Sequence, residues 1–338
     1  MKAPIRKEEY RGVCVFVEQI EGDPVRVSLE LLGKGRQLAD KLRVELSAVL
    51  IGENVGAAAR ELISWGADKV VVADHPMLGP YGTEPYTDII SEWVGRDRPE
   101  ILLLGASPVG RDLAPRLSFR LNTGCTADCT GLDIDEENRL LVSTRPAFGG
   151  NVMATIVCPE HRPQMSTVRS GVMPLGERDE GRTGKIIHLE PRLLEQDFRV
   201  KVLECTRMKS DAGNIQEAER IISFGSGAAD QETLELIKDL AGLLDAEVAG
   251  SRPAVEAGWI PHERQVGQTG KTIRPSLYMA FGISGAVQHT AGMSESKVVV
   301  AINTDPDAEI FKAADFAIKN DARTLLHALV QEIRKFKK

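Results

Sequence analysis

Short runs of β-branched and other apolar residues recur through this chain, and in each half they alternate with segments of helical periodicity. In the first half, Gly12–Val17, Val44–Gly52, Lys69–Ala73 and Glu100–Gly105 read as strands. Between them, Leu29, Leu32, Leu38 and Leu42 recur at helical spacing, with Ser28 as the expected N-cap. Gly56–Trp65, Tyr86–Gly95 and Gly110–Leu121 read as further helices. Strands that alternate with helices predict βαβ units and a parallel sheet. Their nearly unbroken apolar character fits strands covered on both faces. Gly33-Lys34-Gly35 falls inside a helical pattern and is not a phosphate loop.

After Leu121 the pattern changes. Thr123–Leu132, Leu140–Thr144, Val152–Val157 and Gln164–Val168 are strand-like without helices between them. Thr144–Asn151 reads as a turn and Gly176–Lys185 as an exposed loop. Met208–Glu219 is a polar break, which places a domain boundary between 207 and 208. A second βα series follows. Its strands are Arg220–Gly225, Ala246–Ala249, Leu277–Ile283, Lys297–Ile302 and Phe316–Lys319; its helices are Gln231–Leu244, one starting in Gly285–Gly292, Ala308–Ala314 and Arg323–Lys335. The expected fold class is α/β in two domains: residues 1–207 with a mostly parallel sheet, and residues 208–338 as a doubly wound domain.

Composition removes several functions. The net charge of −7 over 338 residues argues against a nucleic-acid partner, which would need a basic face. No apolar run approaches the roughly 18 residues of a membrane span. The N-terminus, MKAPIRKEEYRGV, lacks the apolar core of a secretory signal, so the expected compartment is the cytoplasm. Five scattered cysteines, with Cys125 and Cys129 as the one close pair, match neither a zinc nor a redox pattern, and no metal site is expected.

Chemistry concentrates between Gly250 and Thr304. Three glycine- and hydroxyl-rich loops sit there: Gly250-Ser251-Arg252, Val266-Gly267-Gln268-Thr269-Gly270 and Ser284-Gly285-Ala286-Val287-Gln288-His289. Together with Asn303 and Asp321 they fall at the carboxyl ends of expected strands, where open parallel sheets bind ligands. Ser284-Gly285 at a helix start offers free N–H groups to an anion. Such loops suit a phosphate-bearing cofactor, with Arg252 and His289 able to tune it. Two tempting motifs fail. Gly225-Ser226-Gly227 lacks the third glycine of a dinucleotide fingerprint, since position 230 is Asp, and Thr269-Gly270-Lys271 lacks Walker spacing. A lone histidine such as His289 is more often a satisfied core residue than a ligand-binding one.

The stretches GSRPAVEAGWIP, QVGQTGKTIRPSLYMAFGISGAVQHTAGM and VVVAINTDPDAEIFKAADFAI resemble the alpha subunits of electron transfer flavoproteins. SLELLGKG, GASPVGRDLAPRLSFRLNTGCTADCTGL and TRPAFGGNVMATIVCPEHRPQMSTVR extend the resemblance over the first half. It implies a heterodimer with a beta subunit, against which the first domain packs, and one FAD held by a second domain able to swivel. It implies that Ser251 and Arg252 lie by the flavin and its phosphates. Val266, Gly267, Gln268 and Thr269 would wrap the ring system. Ser284, Gly285, Ala286, Val287, Gln288 and His289 would run along the ribityl–pyrophosphate to the ring, and Asn303 and Asp321 would hold the adenosine end. Many members carry an arginine in the loop after the first strand of this domain; here the residue is Ser226.

A unit charge about 4 Å from the ring, at an effective dielectric of about 20, is worth roughly 4 kcal/mol. Arg252 and His289 are therefore candidates for setting the flavin potential. The implied activity is electron transfer to or from an acyl-CoA dehydrogenase. In the bifurcating branch of the family, which TRPAFGGN and HRPQMSTVR resemble, NADH and ferredoxin are served through the beta chain. The alternatives are a simple carrier with AMP in the beta subunit, or an adenine- or nicotinamide-nucleotide enzyme on a similar domain. No acid/base pair accompanies the loops to support the last.

Overall fold

The computed structural model describes residues 6–147, 152–191, 193, 198–200, 202–205, 215, 216 and 218–336. The chain divides into two compact units, one within residues 1–207 and one built on residues 208–338. Both are α/β.

In the first unit the elements run β1 (Val13–Val17), a small hairpin of β2 (Gln19–Ile20) and β3 (Asp23–Pro24), α1 (Arg26–Leu42), β4 (Leu46–Gly52), α2 (Ala58–Ser64), β5 (Lys69–Asp74), α3 (Thr83–Asp97), β6 (Ile101–Gly105), α4 (Pro108–Leu121), β7 (Cys125–Cys129), β8 (Gly131–Asp135), β9 (Leu140–Ala147), β10 (Val152–Ile156), β11 (Gln164–Val168) and β12 (Lys185–His188). Seven strands form one sheet in the order β12-β5-β4-β1-β6-β11-β7, every pairing parallel. The two-residue period of a strand divides β1 cleanly. Val13, Val15 and Val17 join the core under α1 and α2, while Cys14 and Phe16 join the core under α3 and α4. Gly33 lies inside α1, as its helical pattern predicts, and a Cβ there would sit 2.6 Å from the Gly176 nitrogen, so the glycine permits close packing.

Several local expectations are corrected. Ser28 does not cap α1; the cap position is Val25, three residues earlier, and the Ser28 hydroxyl accepts the Glu18 N–H at 2.9 Å instead. Thr123–Leu132 is not one strand. It splits into β7 in the parallel sheet and β8 in a separate three-stranded sheet ordered β10-β9-β8. Thr130 separates the two, its N–H donating to Thr144 O at 2.8 Å, while Asp128, inside β7 at φ 60° and paired with Arg169 at 2.6 Å, shifts the register against β11. Thr144 to Ala147 continue β9 rather than turning, and the rest of that expected turn, 148–151, lies outside the described residues. Strand β12 went unread: four exposed residues give no alternation, and pairing with β5 alone defines it.

The second unit runs β13 (Arg220–Phe224), α5 (Gln231–Leu244), β14 (Glu247–Gly250), α6 (Arg252–Glu256), β15 (Leu277–Phe281), α7 (Val287–Thr290), β16 (Val299–Asn303), β17 (Phe316–Lys319) and α8 (Ala322–Phe336). Its sheet is parallel throughout, in the order β14-β13-β15-β16-β17. The reversal of direction at β13 and β15 opens a crevice at their carboxyl ends. Ile222, Phe224, Met279 and Phe281 pack toward α5 and α8. Tyr278 and Ala280 face the other way, against Val266, Ile273, Met293 and Ile310. Ala308–Ala314 forms a 3-10 segment, Glu309–Ala313, in place of the expected α-helix. Among the described residues no helix is long and apolar enough to cross a membrane.

Candidate functional site

A cavity of about 370 Å³ opens at the carboxyl ends of β13, β14 and β15. The three loops singled out in the sequence form its walls. Ser251, Arg252, Val266, Gly267, Gln268, Thr269, Ser284, Ala286, Gln288 and His289 all line it, joined by Ser226, Glu256 and Gln265. Four expected site residues are not in the wall. Gly285 and Val287 lie within the third loop. Asn303 ties two strand ends together, its amide donating to the Ile283 carbonyl at 2.9 Å. Asp321 caps α8, accepting the Thr324 N–H at 2.9 Å.

The loops are fixed mainly by their own backbone. Val266 N–H donates to Gly250 O at 2.9 Å, and Gln268 N–H to Gln288 O at 2.7 Å, which locks the second loop onto the first and third. Gly285 has φ 89°, and a Cβ there would collide with the backbone of Ile310; glycine is required on both counts. The expected helix at Gly285–Gly292 is a single turn, Val287–Thr290. It is too short for a substantial macrodipole, so any anion held here relies on individual N–H and hydroxyl groups.

The polar side chains divide by partner. Gln265, 3% exposed, donates from Nε2 to the Thr269 hydroxyl at 3.0 Å. That occupies an acceptor site on Thr269 and leaves the hydroxyl proton to donate elsewhere. Sequence reading missed Gln265; its spacing of four from Thr269 across a Gly-containing loop is the only trace it leaves. Arg252 is two-thirds exposed and ion-paired with Glu256 at 2.7 Å. His289 is 7% exposed, and its Nε2 lies 2.8 Å from the Tyr278 hydroxyl. Burial pulls the His289 pKa down to about 4, with the Val266 backbone opposing the shift. Even so, Nδ1 completes no hydrogen bond. A pKa lowered this far leaves the ring neutral near pH 7, so of the two expected ways for His289 to act, as a charge or as a hydrogen-bonding group, the structure favours the second.

A larger cleft of about 550 Å³ lies in the first unit. Among the described residues Glu84, Asp88, Glu92 and Glu190 line it, with Arg96 as the basic side chain in its wall. So many carboxylates disfavour an anionic ligand, and no loop of donors converges on it. Among the described residues no group of three or more His, Cys, Asp or Glu side chains could hold a metal ion.

Residues 13–194 match the model of the electron transfer flavoprotein domain, and residues 214–294 match that of the electron transfer flavoprotein FAD-binding domain. The second match contains every wall of the cavity. The chain belongs to the electron transfer flavoprotein alpha subunit family. It is 52% identical over 329 residues to the electron transfer flavoprotein subunit alpha of Thermoanaerobacterium thermosaccharolyticum, covering 97% of this chain and 99% of the relative. It is 51% identical over 326 residues to the protein FixB of Clostridium saccharobutylicum, covering 96% and 97%. It is 39% identical over 355 residues to the acryloyl-CoA reductase electron transfer subunit beta of Anaerotignum propionicum, covering 97% of each. The alpha-subunit fold, with an electron transfer flavoprotein domain followed by an FAD-binding domain, is the one seen in the two parallel sheets.

Proposed function

We propose that this chain holds one FAD in the cavity at the carboxyl ends of β13, β14 and β15. On this reading it pairs with an electron transfer flavoprotein beta subunit and passes electrons between a partner site and an acyl-CoA dehydrogenase in the cytoplasm. The observation that carries the reading is the donor set: a buried imidazole with an unpartnered Nδ1, the oriented Thr269 hydroxyl, and Ser226, Ser251, Ser284, Gln268 and Gln288 lining one cavity. Such a set fits a ligand rich in carbonyl, ring-nitrogen and phosphate acceptors. Bound FAD supplies a centre that takes up and gives back electrons. The protein holds and orients. Thr269 and His289 offer protons to acceptors, Arg252 stands at the rim beside the phosphate-accepting loops, and Val266, Ala286 and Ile283 exclude water. Under this proposal Asn303 and Asp321 act at the adenosine end by shaping the strand ends.

We further propose that the complex is of the bifurcating type, serving NADH and ferredoxin through the beta subunit, with the first unit as the surface that packs on that subunit. Support for the bifurcating type comes from the resemblance carried by TRPAFGGN and HRPQMSTVR, and support for an acyl-CoA-linked partner from the likeness to an acryloyl-CoA reductase electron transfer subunit. The simple carrier, with AMP in the beta subunit, is the rival. Flavin and nucleotide stoichiometry of the co-expressed heterodimer decides: two FAD supports bifurcation, and one FAD with one AMP supports the carrier. A chain that stays colourless near 450 nm after FAD addition refutes the flavin reading altogether and revives that of a nucleotide-binding enzyme.

A further inference from the structure

Tyr278 lies in β15, fully buried, with its hydroxyl 2.8 Å from Nε2 of His289. The rings are 6.2 Å apart and tilted by 44°, so the contact is the hydrogen bond rather than stacking. We infer that Tyr278 is a positioning residue: it donates to Nε2, fixes the imidazole proton on Nδ1, and so presents His289 to the cavity as a neutral donor. This deepens the flavin reading above and rests on it for the identity of the acceptor.

Two proton arrangements satisfy the 2.8 Å contact, and they differ in what they leave stranded. If Nε2–H donated to the tyrosine, the tyrosine proton would need another acceptor inside the core. The Ser223 hydroxyl beside it is the acceptor within reach, and in the structure its Oγ completes no hydrogen bond. A fully buried O–H without an acceptor costs about 1–3 kcal/mol. If the tyrosine donates instead, its proton is paired, and the group left over is Nδ1–H on a residue that lines the cavity. A ligand carbonyl can satisfy that group, whereas nothing from solution can reach the tyrosine. Burial raises the Tyr278 pKa, so the hydroxyl keeps its proton for this purpose. The Val266 backbone favours a proton on the imidazole without completing a bond to Nδ1. The Val266 contact decides for the second arrangement, because it favours a proton on the ring nitrogen that Tyr278 does not occupy.

The test is ¹⁵N NMR of the full chain with labelled histidine, the His289 signals being assigned by their loss in His289→Asn. The expected result is a protonated Nδ1 and an unprotonated Nε2, with and without FAD. Tyr278→Phe, which keeps the ring, should mix the two tautomers. With FAD bound, the variant should lower the preference for reduced over oxidised flavin by about tenfold, read as roughly 59 mV in a one-electron potential. A wild-type signal with the proton on Nε2, or a Tyr278→Phe spectrum that keeps a pure Nδ1–H tautomer, overturns the inference. The tautomer is read in the ligand-free chain, so failure to take up FAD tells against the flavin reading separately.

Discussion

Arg252 and Glu256 face each other across one turn of α6, at 2.7 Å, on the rim of the cavity. The positive group that the sequence offers to an anionic cofactor is thus already shared with a carboxylate in the ligand-free chain. Exposed pairs of this kind are worth up to about 1 kcal/mol, which sets the scale of what breaking the pair can do. Glu256→Gln should tighten FAD binding by about two- to fivefold, and Arg252→Ala should weaken it. Flavin-fluorescence titration of the apoprotein reads both; no change in either would remove Arg252 from the site.

Ser226 lines the same cavity, at the position where the family resemblance leads one to expect arginine. A guanidinium there adds a fixed donor fork beside the loops that would receive phosphate. Ser226→Arg should raise FAD affinity, on the order of tenfold for one added charge-assisted bond. Equal affinity for the two proteins would show that the phosphates lie elsewhere.

His289 supplies a pH dependence of stability. Its folded pKa is lowered to about 4, whereas an unfolded histidine titrates near about 6.5. Between those values the unfolded chain binds the extra proton, so the native state loses stability as pH falls from about 6.5 toward 4 and loses no more below. The loss from this residue reaches at most about 3 kcal/mol. Denaturant melts across that range should show a shallower slope for His289→Asn than for wild type. Parallel slopes would mean that the ring protonates in the folded chain without penalty.

Gly285→Ala places a methyl group against the Ile310 backbone at a φ of 89°. The loss should be at least about 2 kcal/mol, seen as a fall of several degrees in the thermal midpoint. An unchanged midpoint would mean that the third loop can shift away from Ile310 at little cost.

Much of this molecule is legible in its sequence because each main strand is a continuous apolar run between helical periods. β1, β4, β5 and β6 are covered on both faces, and so advertise themselves. The cavity loops were legible for a related reason: small and hydroxyl-bearing residues at strand ends have few other uses. What hid was set by partners distant in sequence. Asp128 shifts the register of β7 where Arg169 holds it, and β12 exists because β5 offers an edge. His289 loses its charge to burial around it, and spacing along a helix carries no trace of that. Gln265 reads as one more polar loop residue until its amide is seen on Thr269.

All the cavity residues lie between Gly225 and His289, on one side of the chain's division into two units. Among the described residues the donors are referenced to one another, through Gly250, Gln268 and Gln288. The binding geometry is therefore a property of the second unit by itself: everything that shapes the cavity travels with that one sheet and its loops.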